Sequence, residues 1–140
     1  MPGSRIYHSS QQLIPDGTWT EVALDSEFSD LDGLHNTTNN ERITVGAAGF
    51  FFIAFHAAWT FETVAQVRGI RINKNGTALA EDYTYNAYPA AYHWTHSMCC
   101  MDLLVPGDFI TVQVLQEDAD LTGGLRSVGY NTPHLTIAGG

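Results

Sequence analysis

The side chains that could do chemistry in this chain are six histidines, two cysteines and several runs of acid. His93 and His96, in YHWTHSM, sit three residues apart. Transition metals take histidine pairs, but residues three apart on a strand face opposite sides and cannot share one ion. The two read as polar side chains on the open face of a half-buried strand. Cys99 and Cys100 are adjacent. Neighbours on a strand point apart, which disfavours a disulfide between them and leaves two free, mostly buried thiols as the expected state, as suits a reducing cytosol. A nucleophilic thiol needs a nearby cation or a helix N-terminus. Neither is visible, so core packing is their expected role. Glu117, Asp118 and Asp120 share the loop QEDADL. It lacks the spacing and the glycine of an EF-hand, and calcium needs six or more oxygens, so a solvated acidic loop is expected. The same holds for Asp25, Glu27, Asp30 and Asp32. No phosphate loop, nucleophile elbow, Ser-His-Asp context or zinc signature is present. The chain is expected to be without catalysis and without a cofactor.

The elements that must position these residues are strands. At 140 residues and 44% hydrophobic, the chain is read as a single globular domain spanning 1–140. No window has a 3.6-residue apolar period, while β-branched and aromatic residues recur throughout. About ten strand-like runs are separated by turn residues, among them RITV, GFFFIAFHAAW, AQVRGIRIN, TALAEDYTY and FITVQVLQ. The Asn-Gly of KNG is a hairpin signal, since it supplies the positive φ angles of a primed turn. This spacing predicts an all-β sandwich or barrel. Fifteen acids against six basic residues leave a formal charge of −9, with no basic stripe for nucleic acid or anionic membrane. No run of 18 apolar residues spans a membrane, and the first residues are not those of a secretory signal.

The run AGFFFIAFHAAW breaks the usual alternation of a strand. Phe50, Phe52, Ala54 and Ala58 lie on one face, and Phe51, Ile53, Phe55, Ala57 and Trp59 on the other. Both faces are apolar, so one packs a core and something must cover the other. His56 interrupts the pattern.

FSDLDGLHN, AAGFFFIAF, RINKNGTALA and DLLVPGDFITVQVLQ, in that order and spacing, resemble the globular-head family of complement component one-q. The matching positions are Phe28 before an Asp/Gly-rich loop, Gly49-Phe50-Phe51 opening the central strand, and Leu104, Gly107 and Asp108 in LVPGD. The resemblance extends from about residue 15 to 138. It implies an antiparallel jelly roll of about ten strands, shared with tumour necrosis factor, and a homotrimer packed by its inner sheets around a threefold axis. Phe50, Phe51, Phe52, Ile53, Phe55, His56 and Trp59 are then core or trimer interface, with the assignment of the two faces left open. Three copies of His56 could meet near the axis and hold a metal or an anion, although a hydrogen-bonded interface histidine is the expected state. Some relatives bind calcium through acidic loops, which keeps Glu117, Asp118 and Asp120 as weak candidates. The paired His and Glu ligands of cupins, which share the jelly-roll shape, are missing.

Such a fold does not select a function. A virion structural protein of a tailed phage is the first expectation, as a capsid decoration or fibre head on the particle surface, bound to a major capsid or tail protein. It rests on the wording of the chain and on the absence of a signal peptide and a collagen-like stalk. A secreted or surface trimeric module recognising a protein or glycan is the second, and an enzyme using the strand histidines the third. Residues 1–14, free of acid and carrying Arg5, Ile6 and Tyr7, are a docking arm, the first strand, or both.

Overall fold

The computed structural model describes residues 2–36, 38–59, 66–86, 94–117, 124–125 and 133–140. They form twelve strands: β1 Gly3–Tyr7, β2 Gln12–Leu13, β3 Thr20–Glu21, β4 Ser26–Asp30, β5 Arg42–Thr44, β6 Gly49–Trp59, β7 Gln66–Lys74, β8 Thr77–Asn86, β9 Trp94–Leu104, β10 Phe109–Glu117, β11 Gly124–Leu125 and β12 His134–Gly139. Every pairing between them is antiparallel. One sheet runs β9-β6-β12-β1-β4, with β11 and β2 continuing past the end of β12; the other has β10 at its centre, between β7-β8 and the short β3 and β5. Among the described residues no helix is long and apolar enough to cross a membrane.

The two sheets enclose one core. Ile6, Phe51, Ile53, Phe55, Leu135 and Ile137 from the first meet Ile70, Ile72, Ile110, Val112 and Val114 from the second. Along β6 burial alternates with period two over most of the strand, while β10, central in its sheet, is buried along nearly its whole length. One side of the sandwich is stitched by polar contacts between sheets. His96 on β9 reaches Asp82 on β8 at 2.8 Å, and Lys74 on β7 reaches Asp102 on β9 at 2.9 Å. His96 is therefore a buried, paired residue, not a side chain on the open face. Its Cα partner is Ala57, a core position of β6, which turns it inward. His93 lies outside the described residues.

The motifs behind the resemblance have physical reasons. Gly49 is bare because the backbone of Gly140 crosses it; a Cβ there would come within 2.4 Å. Asn75 and Gly76 carry φ of 52° and 82° and make the β7-β8 hairpin, while Gly107 carries 93°. The two turns interlock: Asn75 donates to Asp108 (2.8 Å) and accepts from the Phe109 amide (3.0 Å), while Asp108 also accepts from the Val105 amide (2.9 Å). Asn75 with Lys74 holds the Asp108 carboxyl below its ordinary range, the Asn75 bond being the largest cause.

The acids of β4 and its flanks accept hydrogen bonds from within the chain. Asp30 accepts from the Leu34 and His35 amides, and Asp32 from the Gly3 amide. Asp25 accepts from the amide and hydroxyl of Ser9. Glu27 takes the His35 ring at 2.7 Å. Among the described residues no three His, Cys, Asp or Glu gather as a metal site. Glu117 ends β10 exposed, and Asp118 and Asp120 lie outside the described residues.

Candidate functional site

β6 divides its two apolar faces along most of its length, up to Ala58, which is buried although its parity is that of the outer face. Phe51, Ile53, Phe55, Ala57 and Trp59 are buried in the sandwich. Phe50, Phe52, Ala54, His56 and Ala58 point to the outer face of the same sheet. Their cross-strand partners on β9 are Leu103, Met101, Cys99, Ser97 and Thr95. On β12 they are Ala138, Thr136 and His134, which continue to Gly3, Arg5 and Tyr7 on β1. The outer face is thus built in rows. Leu103-Phe50 and Met101-Phe52-Ala138 form an apolar end, with Phe50 65%, Met101 67%, Leu103 50% and Phe52 45% exposed. Cys99-Ala54-Thr136 form a row of small side chains. Ser97-His56-His134-Tyr7 form a polar row. No aspartate or glutamate appears in these rows, in a chain with fifteen of them.

The small-residue row leaves a depression of about 330 Å³, lined by Ala54, His56, Ser97, Cys99 and His134 among others. His56 Nδ1 lies 2.7 Å from Ser97 Oγ, and its ring stacks on that of His134 with centroids 5.0 Å apart. Burial, then the neighbouring His134 and Arg5, hold the His56 imidazole below its ordinary range, so it is neutral at neutral pH. At the far end of the face, Arg5 lies over the Phe28 ring at 4.6 Å and Tyr7 packs on Phe28 at 4.3 Å.

Ser97 with His56 has the composition of a nucleophile and its base. Catalysis also needs a group to orient the base and donors aimed at a developing oxyanion. No carboxylate is among the groups that act on His56, and the sheet amides around it are engaged in the β6-β9 and β6-β12 ladders. The arrangement can bind and pack. Cys99 is exposed here, so only Cys100 keeps the partly buried place expected for both thiols; burial, then Asp102 and Cys99, push the Cys100 thiol up. Both are free.

Compared with solved structures, the chain matches the globular domain of the zebrafish complement 1qA protein at a TM-score of 0.66 and 12% identity, covering 99% of this chain and 96% of that one. The fold is the complement 1q-type jelly roll. At this identity the likeness speaks for the fold alone, and 256 chains of known structure match it, so it selects no function. No protein-family model and no curated protein matches the chain.

Sequence reasoning found the two-faced strand of this jelly roll and the special standing of His56. It missed the Ser97-His56 bond, whose partners are 41 positions apart and meet only through the β6-β9 register. Of the docking residues, Arg5 and Tyr7 face outward, but Ile6 is fully buried. The segment 3–7 is an interior strand between β12 and β4, which is the first-strand alternative; docking through its outward Arg5 and Tyr7 is a separate matter from that pairing.

His35 is the second unusual histidine. Its Nδ1 faces Glu27 Oε1 at 2.7 Å and its Nε2 faces the Asn40 carbonyl at 3.0 Å. Both partners only accept, so the site favours the protonated ring, which donates from both nitrogens. Burial opposes the charge, but the Asn40 carbonyl and Glu27 outweigh it and hold the group above its ordinary range. A raised pKa makes this stabilisation complete below the unfolded histidine range and lost as pH rises through the folded value. His35→Ala is expected to destabilise by about 1.5 kcal/mol at pH 6, the low end for a charged hydrogen bond, because Glu27 is 40% exposed. The difference should shrink at pH 9, as measured by urea unfolding at both values.

Proposed function

We propose that this chain is a non-catalytic binding head that works as a homotrimer, with the outer face of β6, β9, β12 and β1 buried between copies. The observation that carries the reading is that face: four large apolar side chains on β6 and β9 that are 45–67% exposed, on a surface of four adjoining strands whose outward rows carry no carboxylate. Contiguous apolar surface of this kind marks an interaction site on a soluble protein. Covering the exposed parts of Phe50, Phe52, Met101 and Leu103 stabilises by about 1 kcal/mol each. A second copy is the occupant that matches the charge. With −9 per chain, two copies repel wherever acids meet, and this face meets without any. The resemblance in the strand motifs implies three copies about an axis.

Assembly through this face leaves the second sheet, with β10 at its centre, and the loops at both ends free for a ligand, which favours a module recognising a protein or glycan. The alternative, a decoration or fibre-head protein outside a phage particle, bound to its capsid or tail protein, is a proposal that neither the fold nor the neighbouring structure favours specifically. Light scattering on purified protein at micromolar concentration is expected to give three chains. A stable monomer there defeats the reading, and labelling of Ser97 by a fluorophosphonate would reinstate an enzyme.

A further inference from the structure

The sheet on the other side of the sandwich presents an outer face of a different kind. Ile70, Ile72, Val112 and Val114 turn into the core, so the alternate positions of the same strands face out. They form two rows across β8, β7 and β10, Tyr83-Gly69-Leu115 and Glu81-Arg71-Gln113. Trp19, just before β3, lies against the bare backbone of Gly69, where a Cβ would come within 2.8 Å of its ring. The Arg71 guanidinium sits over the same ring at 3.8 Å, and the Tyr83 ring meets it edge-on at 5.8 Å. Arg71 also pairs with Glu81 at 2.6 Å, and the Tyr83 hydroxyl donates to Glu81. Tyr83 nevertheless stays 51% exposed, and Tyr85, the next outward position of β8, 67%. Covering Leu115 accounts for Trp19. It does not account for two tyrosines held in the open beside an ordered ion pair.

We infer that the outer face of the second sheet binds a neutral glycan, with Tyr83 and Tyr85 stacking on sugar rings and Arg71 and Glu81 holding their hydroxyls. This deepens the reading of the chain as a binding head, on which it rests. An aromatic ring carries a negative face, and the C–H groups on one side of a sugar ring are apolar and weakly positive, so the two pack together. Each sugar hydroxyl both donates and accepts. A guanidinium has five N–H donors and a carboxylate about four acceptor sites, more than the Arg71-Glu81 pair uses on itself. Donor and acceptor thus stand side by side next to the exposed rings. Their mutual pairing, with Trp19 beneath the guanidinium, holds them in place before a ligand arrives, which spares the cost of ordering them on binding. Charge sets the class of sugar. Glu21 and Glu81 share the outward row of Arg71, in a chain of −9, so an anionic glycan is repelled and a neutral one is not.

Saturation-transfer NMR of the intact protein tests this, with methyl glycosides and short oligosaccharides of glucose, galactose, mannose and N-acetylglucosamine, and a sulfated disaccharide as the charged comparison. The method reads a single site, so it works whether or not the chain assembles. Transfer to the ring C–H protons of at least one neutral sugar is expected. Tyr83→Ala and Glu81→Gln should each lower the affinity for that sugar about tenfold or more, the loss of one aromatic contact or one charged hydrogen bond, with the circular dichroism spectrum unchanged. No transfer to any neutral sugar, unchanged affinity in both variants, or a preference for the sulfated disaccharide overturns the inference. So does binding to a mannose-bearing glycoprotein that persists after its glycans are removed, since the partner is then a protein. Light scattering on the same samples keeps this apart from assembly. A trimer that binds no sugar defeats the glycan site alone, and a monomer that binds sugar through Tyr83 defeats the assembly alone.

Discussion

Phe52→Asp is expected to give a folded monomer, and Phe51→Asp no folded protein at all. The two residues are neighbours with the same side chain on the same strand, and only the face differs. Phe51 is buried to 1% among the core residues of both sheets. Truncating such a phenylalanine to alanine costs about 3–5 kcal/mol, and a carboxylate without a partner adds a desolvation penalty. The total stability of a domain is about 5–15 kcal/mol, so little or nothing remains. Phe52 is 45% exposed, and a polar residue there costs the single chain about 0.5 kcal/mol or less. The loss falls on assembly. An aromatic anchor at the middle of an interface is worth about 2–4 kcal/mol, and a trimer contains three, so the assembly constant falls by at least ~10⁴-fold. Circular dichroism separates the two variants, and light scattering identifies the monomer. A Phe52→Asp protein that stays trimeric removes this face from the assembly.

The division between those two residues shows where sequence reading stops. The two-sided apolar pattern of β6 is legible because a strand has period two. Which side is core is not legible, since both sides carry phenylalanine. It is decided by what each side faces, and the strands behind Phe51 come from the second sheet, with Ile72 and Val112 across the core. The same parity places Cys99 and Cys100 on opposite faces but cannot say that Cys99 is the outer one; the pairing of Ala54 with Cys99 settles it. The turn motifs KNG and VPGD are readable one at a time from their glycines. Their interlocking through Asn75 and Asp108, 33 positions apart, is a tertiary fact. Acid-rich stretches mislead for a related reason. Asp25, Asp30 and Asp32 resemble solvated or calcium-binding loop residues by composition, while their oxygens accept hydrogen bonds from nearby Ser9, Leu34, His35 and Gly3.

Removing residues 1 to 8 is expected to abolish the fold, the reverse of what a docking arm would do. β1 pairs with β12 from Gly3↔Ala138 to Tyr7↔His134, and on its other edge with β4 from Ser4↔Asp30 to Tyr7↔Ser26. Its loss strips both neighbours of their ladders at once. Each backbone hydrogen bond contributes about 0.5–1.5 kcal/mol net, and a buried carbonyl or amide left without a partner costs about 1–3 kcal/mol. Ile6, fully buried in the core, is lost as well, at about 2–5 kcal/mol. The closing contacts go too: the Gly139 amide loses the Pro2 carbonyl, and Asp32 loses the Gly3 amide. These losses together exceed the stability of an ordinary domain. The outer face loses Arg5 and Tyr7 in the same step, so assembly cannot rescue the truncated chain. Thermal melting followed by circular dichroism is the measurement, with Ile6→Asp as a companion variant that keeps the backbone pairing. Absence of a cooperative transition is expected in both. A truncated protein that melts within a few degrees of the full chain would show that β1 is dispensable and would return the segment to a docking role.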